Sequence, residues 1–278
     1  MSKQIDEMLA TNAAQKRYYE VASGREVSTE NSGATNLWRR LRERALGAVK
    51  VSTSSKALTP LHRQWMGDLS NLKVLELGVG TGSALSVELA TAAREYIALD
   101  LSQQRIDKLA KKLAKGGGGE PRLYVADFLS ASEFPEADFD IIYALSVFHH
   151  FEHFEAFLDL VDRKLAKGGR VITYDPVQIW WPIRALRAIY RPFQTDSEWE
   201  HPFDAASLRA IEGRFDVVAC QGLLTRAKWA AIIAVLAPKL GARLGQKWHA
   251  DDMARSTTPR SLRRSLHASY LLRKRETH

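Results

Sequence analysis

Five short apolar runs dominate the middle of the chain: KVLEL (73–77), YIALD (96–100), LYVAD (123–127), FDIIYA (139–144) and RVITYD (170–175). Each is nearly continuous in aliphatic and aromatic residues rather than alternating with polar ones, as a strand covered on both faces requires. Helical segments separate them, from Ser83 to Arg94, over 102–115 and near 151–166. That order predicts parallel strands joined by crossover helices, an α/β, Rossmann-like, doubly wound sheet. FDVVACQ (215–221) and ASYLLRKR (268–275) supply a sixth and a final strand. The tract Gly116–Gly119 follows LAKKLAK and predicts a helix stop and turn.

Residues 1–70, 176–210 and 222–264 fall outside the alternation. The first predicts a helical lid or cap. The other two are inserts in a main domain over 71–278, rich in aromatics and bases. They follow strands five and six at the carboxyl edge of the sheet, where open α/β sheets bind ligands.

The first strand runs into VLELGVGTGS (74–83), a tight glycine turn before a helix N-terminus, which lets backbone approach a nucleotide-like ligand closely. Its spacing discriminates between cofactors. A dinucleotide loop reads G-x-G-x-x-G, but the glycines here are 78, 80 and 82 and Ser83 stands where the third is needed. A phosphate loop needs a Gly-Lys-Ser/Thr end, and no lysine follows.

Glu76-Leu-Gly78-Val-Gly80-Thr-Gly82 resembles the E/D-x-G-x-G-x-G loop of class I methyltransferases, which use S-adenosylmethionine. Asp100 ends the second strand 18 residues after Gly82, the third ends Ala126-Asp127-Phe128, and FDIIYALSVFHHF (139–151) and KLAKGGRVITYDP (164–176) are similar to later motifs of that family. The resemblance covers residues 73–176. It implies a seven-stranded, mostly parallel sheet with an antiparallel last strand, S-adenosylmethionine as cofactor, S-adenosylhomocysteine as product and no metal. It also implies that Gly78, Gly80 and Gly82 pass the backbone beneath the methionine part while Glu76 receives its amino group. Asp100, followed by Leu101, accepts the ribose hydroxyls. Asp127 accepts the adenine amino group beside Phe128, and Leu145 and Ser146 line the cofactor.

Methyl transfer is an in-line displacement that needs a general base only if the nucleophile carries a proton. His149, His150, Asp175 and His201 are the candidates. On the substrate side stand Tyr18 and Tyr19, which resemble a lid helix, and Trp180 and Trp181. The amino-methylating [DNS]-P-P-[YF] motif is replaced by Ala144-Leu-Ser-Val147, which argues against amide or exocyclic-amine acceptors.

Charge refines the acceptor. Residues 178–278 hold 17 Lys/Arg against 9 Asp/Glu, whereas the remainder holds 23 of each, so the whole excess of +8 lies in the C-terminal third. Five of the seven tryptophans lie in the same inserts. An apolar acceptor with an anionic group, or a lipid-like one, fits that surface. A nucleic-acid acceptor, RNA included, is the alternative and is disfavoured for want of clustered bases with interleaved aromatics on the core. A nicotinamide-dependent oxidoreductase and a non-catalytic protein retaining the cofactor fold are the other rivals. WAAIIAVLA (229–237), then Pro238, then Lys239, Arg243 and Lys247 beside Leu240 and Leu244, predicts a helical hairpin free of acids. Such a segment, 223–248, can cover the sheet or lie on an anionic membrane. WRRLRERALGAVK (38–50) predicts a core-covering helix. No signal pattern and no apolar run near the roughly 20 residues of a membrane span is present. The expected place is the cytoplasm, at most peripheral to the inner face of a membrane. The single Cys220 reads as a buried strand thiol.

Overall fold

The computed structural model describes residues 2–22, 43–53, 55–116, 120–190 and 199–276. Seven strands form one sheet: β1 (Lys73–Leu77), β2 (Glu95–Asp100), β3 (Arg122–Val125), β4 (Phe139–Leu145), β5 (Leu165–Pro176), β6 (Phe215–Leu223) and β7 (His267–Lys274), in the order β3-β2-β1-β4-β5-β7-β6. β1 to β5 pair in parallel, and β7 is inserted antiparallel between β5 and β6. The expected seven-stranded architecture with an antiparallel last strand is what the chain adopts. β5 begins earlier than the sequence suggests. Lys167-Gly-Gly169 belongs to it, and the pairing with β4 shifts register between Phe139 and Ile141.

The main helices are α1 (Ser2–Ala22), α2 (Thr59–Met66), α3 (Ala84–Ala92), α4 (Gln103–Leu113), α5 (Phe154–Lys164), α6 (Trp181–Tyr190), α7 (Ala205–Arg214), α8 (Lys228–Leu236) and α9 (Pro238–Arg255). They cover the sheet in two apolar layers. Leu75, Leu77, Ile97, Leu99, Ile142 and Ala144 face one side with Phe128, Phe134, Phe148 and Phe157; Val74, Tyr96, Ala98, Ile141 and Tyr143 face the other with Leu85, Leu89, Ile106 and Leu109. Burial on both faces is why these strands read as apolar runs. Cys220 is buried, and desolvation pushes its thiol up to about 11, the inert state of a strand cysteine.

A polar seam crosses the second layer. Glu76 accepts the Tyr96 hydroxyl at 2.6 Å and the Ser86 hydroxyl at 2.9 Å. His62 on α2 bridges Tyr143 at 3.0 Å and Ser269 at 2.8 Å. Burial pushes the Glu76 carboxyl up to about 7 and the His62 imidazole down to about 4.

The described part of 38–50 is helical over 43–48, with Ala48 and Val49 buried; Trp38 and Leu41 lie outside the described residues. The expected hairpin is α8 and α9, with Pro238 in the first turn of α9. Asp252 anchors its base. Its carboxylate accepts the backbone N–H groups of Thr225 (2.9 Å), Arg226 (2.8 Å) and Ala227 (3.1 Å), donors that the start of α8 would otherwise leave unpaired.

Candidate active site

The loop between β1 and α3 turns on three left-handed glycines: Gly78 at φ 64°, Gly80 at 59° and Gly82 at 69°. The N–H groups of Gly78 and Val79 both reach Leu99 O of β2, at 2.8 and 3.2 Å, which tucks the loop over the adjoining strand end. Space differs among the three. A Cβ on Gly78 would lie 2.5 Å from Val147 Cγ2 and one on Gly82 2.4 Å from Leu109 Cδ1, whereas one on Gly80 would meet nothing within 4 Å. Gly80 is thus required for conformation alone. Ser83 then caps α3, in a reciprocal pair of hydrogen bonds with Ser86.

An open cleft lies at this carboxyl edge, lined by Gly78, Asp100, Leu101, Asp127, Phe128, Ser146 and His150 among others. Asp100 is 4% exposed. Its Oδ2 accepts the Gly80 N–H and its Oδ1 the Ser102 N–H, each at 2.9 Å, with Arg105 3.8 Å away. The carboxylate is therefore immobilised by the glycine loop itself and keeps lone pairs for two further donors. Asp127 is held by Leu129 N–H at 2.9 Å and by Asn12 Nδ2, which reaches Oδ1 and Oδ2 at 3.1 and 2.9 Å. Desolvation raises its carboxyl, opposed by these bonds and by Lys16.

Glu76 and Leu145 are placed elsewhere. Both Glu76 oxygens are taken by Tyr96 and Ser86 beneath the loop, and Leu145 packs toward Tyr174 and Leu58. The reason for Leu145 is the pleat of β4, which turns it to the face opposite Ala144. Ser146, at φ 57° and bonded to Tyr174 O at 2.7 Å, then swings the chain so that Ser146 and Val147 meet the cleft.

The candidate bases separate into layers. His150 lines the cleft, and its Nδ1 donates to Trp199 O at 2.9 Å. His149 is buried behind it, ring centroids 4.1 Å apart, with Nδ1 2.8 Å from Asp175 Oδ1. Asp175 is fully buried; it also accepts the His149 backbone N–H and the Thr173 hydroxyl. It can orient His149 and cannot touch a substrate. His201 donates its backbone N–H to His149 O at 2.7 Å, and its side chain lines a neighbouring groove with Glu200 and Asp204.

Tyr18 and Tyr19 lie within α1, but their side chains fall outside the described residues. What α1 brings to the cleft instead is Asn12 and Lys16. Met8 and Asn12 are buried, with Ile5 and Leu9 packed against the same core, and Glu7 meets His153 at 3.1 Å at the start of α5. The 5-8-9-12-16 spacing is the sequence signal for that face. Trp180 is half-buried, edge-on to Trp229 at 6.2 Å, and Trp181 is exposed. Among the described residues no cluster of His, Cys, Asp or Glu is spaced to hold a metal.

A family model described as a methyltransferase domain matches residues 75–171. The chain is 32% identical over 129 residues to an uncharacterized protein of Haemophilus influenzae, covering 46% of this chain and 51% of that one. It is 31% identical over 104 residues to a demethylmenaquinone methyltransferase of Thermus thermophilus, covering 37% and 46%. It thus spans about half the length of the curated relatives it matches. Among solved structures, the magnesium protoporphyrin IX methyltransferase of Synechocystis with bound S-adenosylhomocysteine superposes with a TM-score of 0.54 at 15% identity, over 88% of this chain and 96% of that one. At that identity the likeness is one of fold. Residues 75–171 thus match a methyltransferase domain, and the sheet around them has the fold of that solved methyltransferase.

Proposed function

We propose that the chain transfers a methyl group from S-adenosylmethionine to a small, largely apolar acceptor that is anionic or lipid-like. The observation that carries the reading is the convergence of Gly78 of the glycine loop, Asp100 and Asp127 on one cleft, which Gly80 and Gly82 do not line. These residues fit the cofactor. Asp100 offers acceptor positions in the orientation fixed by Gly80 and Ser102, suited to a pair of ribose hydroxyls. Asp127, steadied by Asn12, offers an acceptor for an exocyclic amine beside the apolar Phe128. The side-chain-free surface at Gly78 leaves the cleft floor open to the amino-acid part.

A bound S-adenosylmethionine supplies an electrophilic methyl that needs no metal or redox chemistry. The chain's own contribution is to orient and to exclude water. Of the candidate bases, His150 is the one that lines the cleft, where an acceptor's proton would be received. His149, oriented by Asp175, packs against His150 with the two rings tilted by 37°. The apolar, anion-compatible acceptor is supported by the tryptophans and the basic excess of the C-terminal third. The names of the two methyltransferases above, acting on demethylmenaquinone and on magnesium protoporphyrin, agree with it.

The test is a thermal-shift and calorimetric comparison of S-adenosylmethionine, S-adenosylhomocysteine and NAD(P), followed by release of S-adenosylhomocysteine with quinol, porphyrin and fatty-acid acceptors. Stabilisation by the first two alone, with turnover on one acceptor class, is expected. Stabilisation by NAD(P) alone would sink the reading.

A further inference from the structure

α8 is built inside out for a helix that ends in water. Its inward positions are small: Ala227, Ala230 and Ala234 are fully buried, the first two packing with Val49, Leu224, Leu244 and Trp248. Its outward positions are large and apolar. Trp229 is 42% exposed, Ile232 59% and Leu236 91%, and Leu240 at the start of α9 is 50% exposed. Trp181, on the element that brings Trp180 against Trp229, is 73% exposed.

The hairpin holding these groups is stiff. A Cβ on Gly241 would lie 2.4 Å from Ala234, and one on Gly245 would run into the Ala48 carbonyl, so α9 is seated on α8 and on the N-terminal segment at backbone distance. Lys228 spans its base, with Nζ above the rings of Trp180 and Trp229 at 5.3 and 5.4 Å. The exposed apolar ridge is bordered by the exposed Lys239, Arg243 and Lys247, and no acid occurs between Gly222 and His249.

We infer that this ridge docks the protein on an anionic bilayer surface, with Trp229, Ile232, Leu236 and Leu240 entering the headgroup boundary and Lys239, Arg243 and Lys247 meeting lipid phosphates. Charge complementarity selects this occupant: a second copy would set the exposed Lys239, Arg243 and Lys247 against the same three cations. The topology gives the docking a consequence. β6 runs parallel to β5, so the hairpin that follows it leaves the sheet at the same carboxyl edge as the cleft. Docking therefore turns the cleft edge toward the lipid, which suits the lipid-like acceptor; that last step rests on the proposed function, the docking itself does not.

Flotation of the full chain with mixed phosphatidylglycerol–phosphatidylcholine vesicles, against phosphatidylcholine alone, tests it without turnover. Binding to the anionic vesicles that weakens with salt is expected. The triple neutralisation K239Q/R243Q/K247Q should lower it on the order of a hundred-fold, three charges each worth about 1 kcal/mol near the surface. I232D/L236D should abolish it, with S-adenosylhomocysteine affinity unchanged in both variants. No flotation, equal flotation on neutral vesicles, or a dimer in sedimentation that L236D dissociates would overturn the inference.

Discussion

Gly78 and Gly80 share a backbone conformation but not a neighbourhood, and that difference sets the size of two substitutions. Alanine at either must adopt a positive φ, which costs about 1–2 kcal/mol for an L-residue. At Gly80 that is the whole penalty, because a Cβ there meets open space. At Gly78 the new Cβ lies 2.5 Å from Val147 Cγ2, and overpacking adds about 1–3 kcal/mol more. Gly80→Ala should therefore lower stability by about 1–2 kcal/mol and Gly78→Ala by about 2–5 kcal/mol in urea unfolding. The Gly78→Ala loss should be accompanied by weaker S-adenosylhomocysteine binding, because Val147 is pushed into the cleft it lines. Val147→Ala removes the opposing methyl groups, so the double variant should recover about 1–3 kcal/mol relative to additivity. Equal losses at the two glycines, or no coupling between positions 78 and 147, would refute this account of the loop.

Three further outcomes follow from the polar contacts. The Glu76 carboxyl, raised from 4.5 to about 7, holds a proton in the fold that the unfolded chain gives up, so its contribution is fully present below about pH 4.5 and is lost as pH rises to about 7. In urea unfolding without cofactor, Glu76→Gln should gain on the parent by about 3 kcal/mol between pH 4.5 and pH 8; a constant difference would contradict it. Asn12→Ala removes both amide bonds to Asp127 and should weaken S-adenosylhomocysteine binding about ten-fold or more by calorimetry; unchanged affinity would detach α1 from the site. Asp252→Ala leaves three backbone donors at the start of α8 without their acceptor and should cost about 2–4 kcal/mol in chemical denaturation, against near-neutrality if the hairpin is only loosely attached.

What could be read from the sequence was whatever neighbours along the chain decide. The strands are apolar because helices lie on both faces, the glycines recur because the turn needs positive φ, and Asp100 ends the strand that pairs with the one before that turn. What could not be read is decided by contacts between distant segments. Asn12 meets Asp127 across 115 positions, which no local pattern encodes, whereas the aromatic Tyr18 and Tyr19 of the same helix stand out in the sequence. Asp175 has the residue type of a base, but Thr173 and His149 enclose it through a pairing of β5 with the helical turn after β4. Leu145 and Ser146 are adjacent in sequence and opposite in space, because a single left-handed residue ends the pleat. The hairpin was legible in its periodicity, but which of its faces is covered depended on Ala48, far away in the chain.

The central claim is that Asp100, held by Gly80 and Ser102, is the acceptor around which the cofactor binds. Isothermal titration of S-adenosylmethionine into the parent and Asp100→Ala chains measures it most directly. Two charge-assisted hydrogen bonds of about 1.5–3 kcal/mol each predict saturable binding to the parent and a loss of about a hundred-fold or more in the variant. Undiminished affinity of Asp100→Ala, or no binding to the parent, would contradict the account.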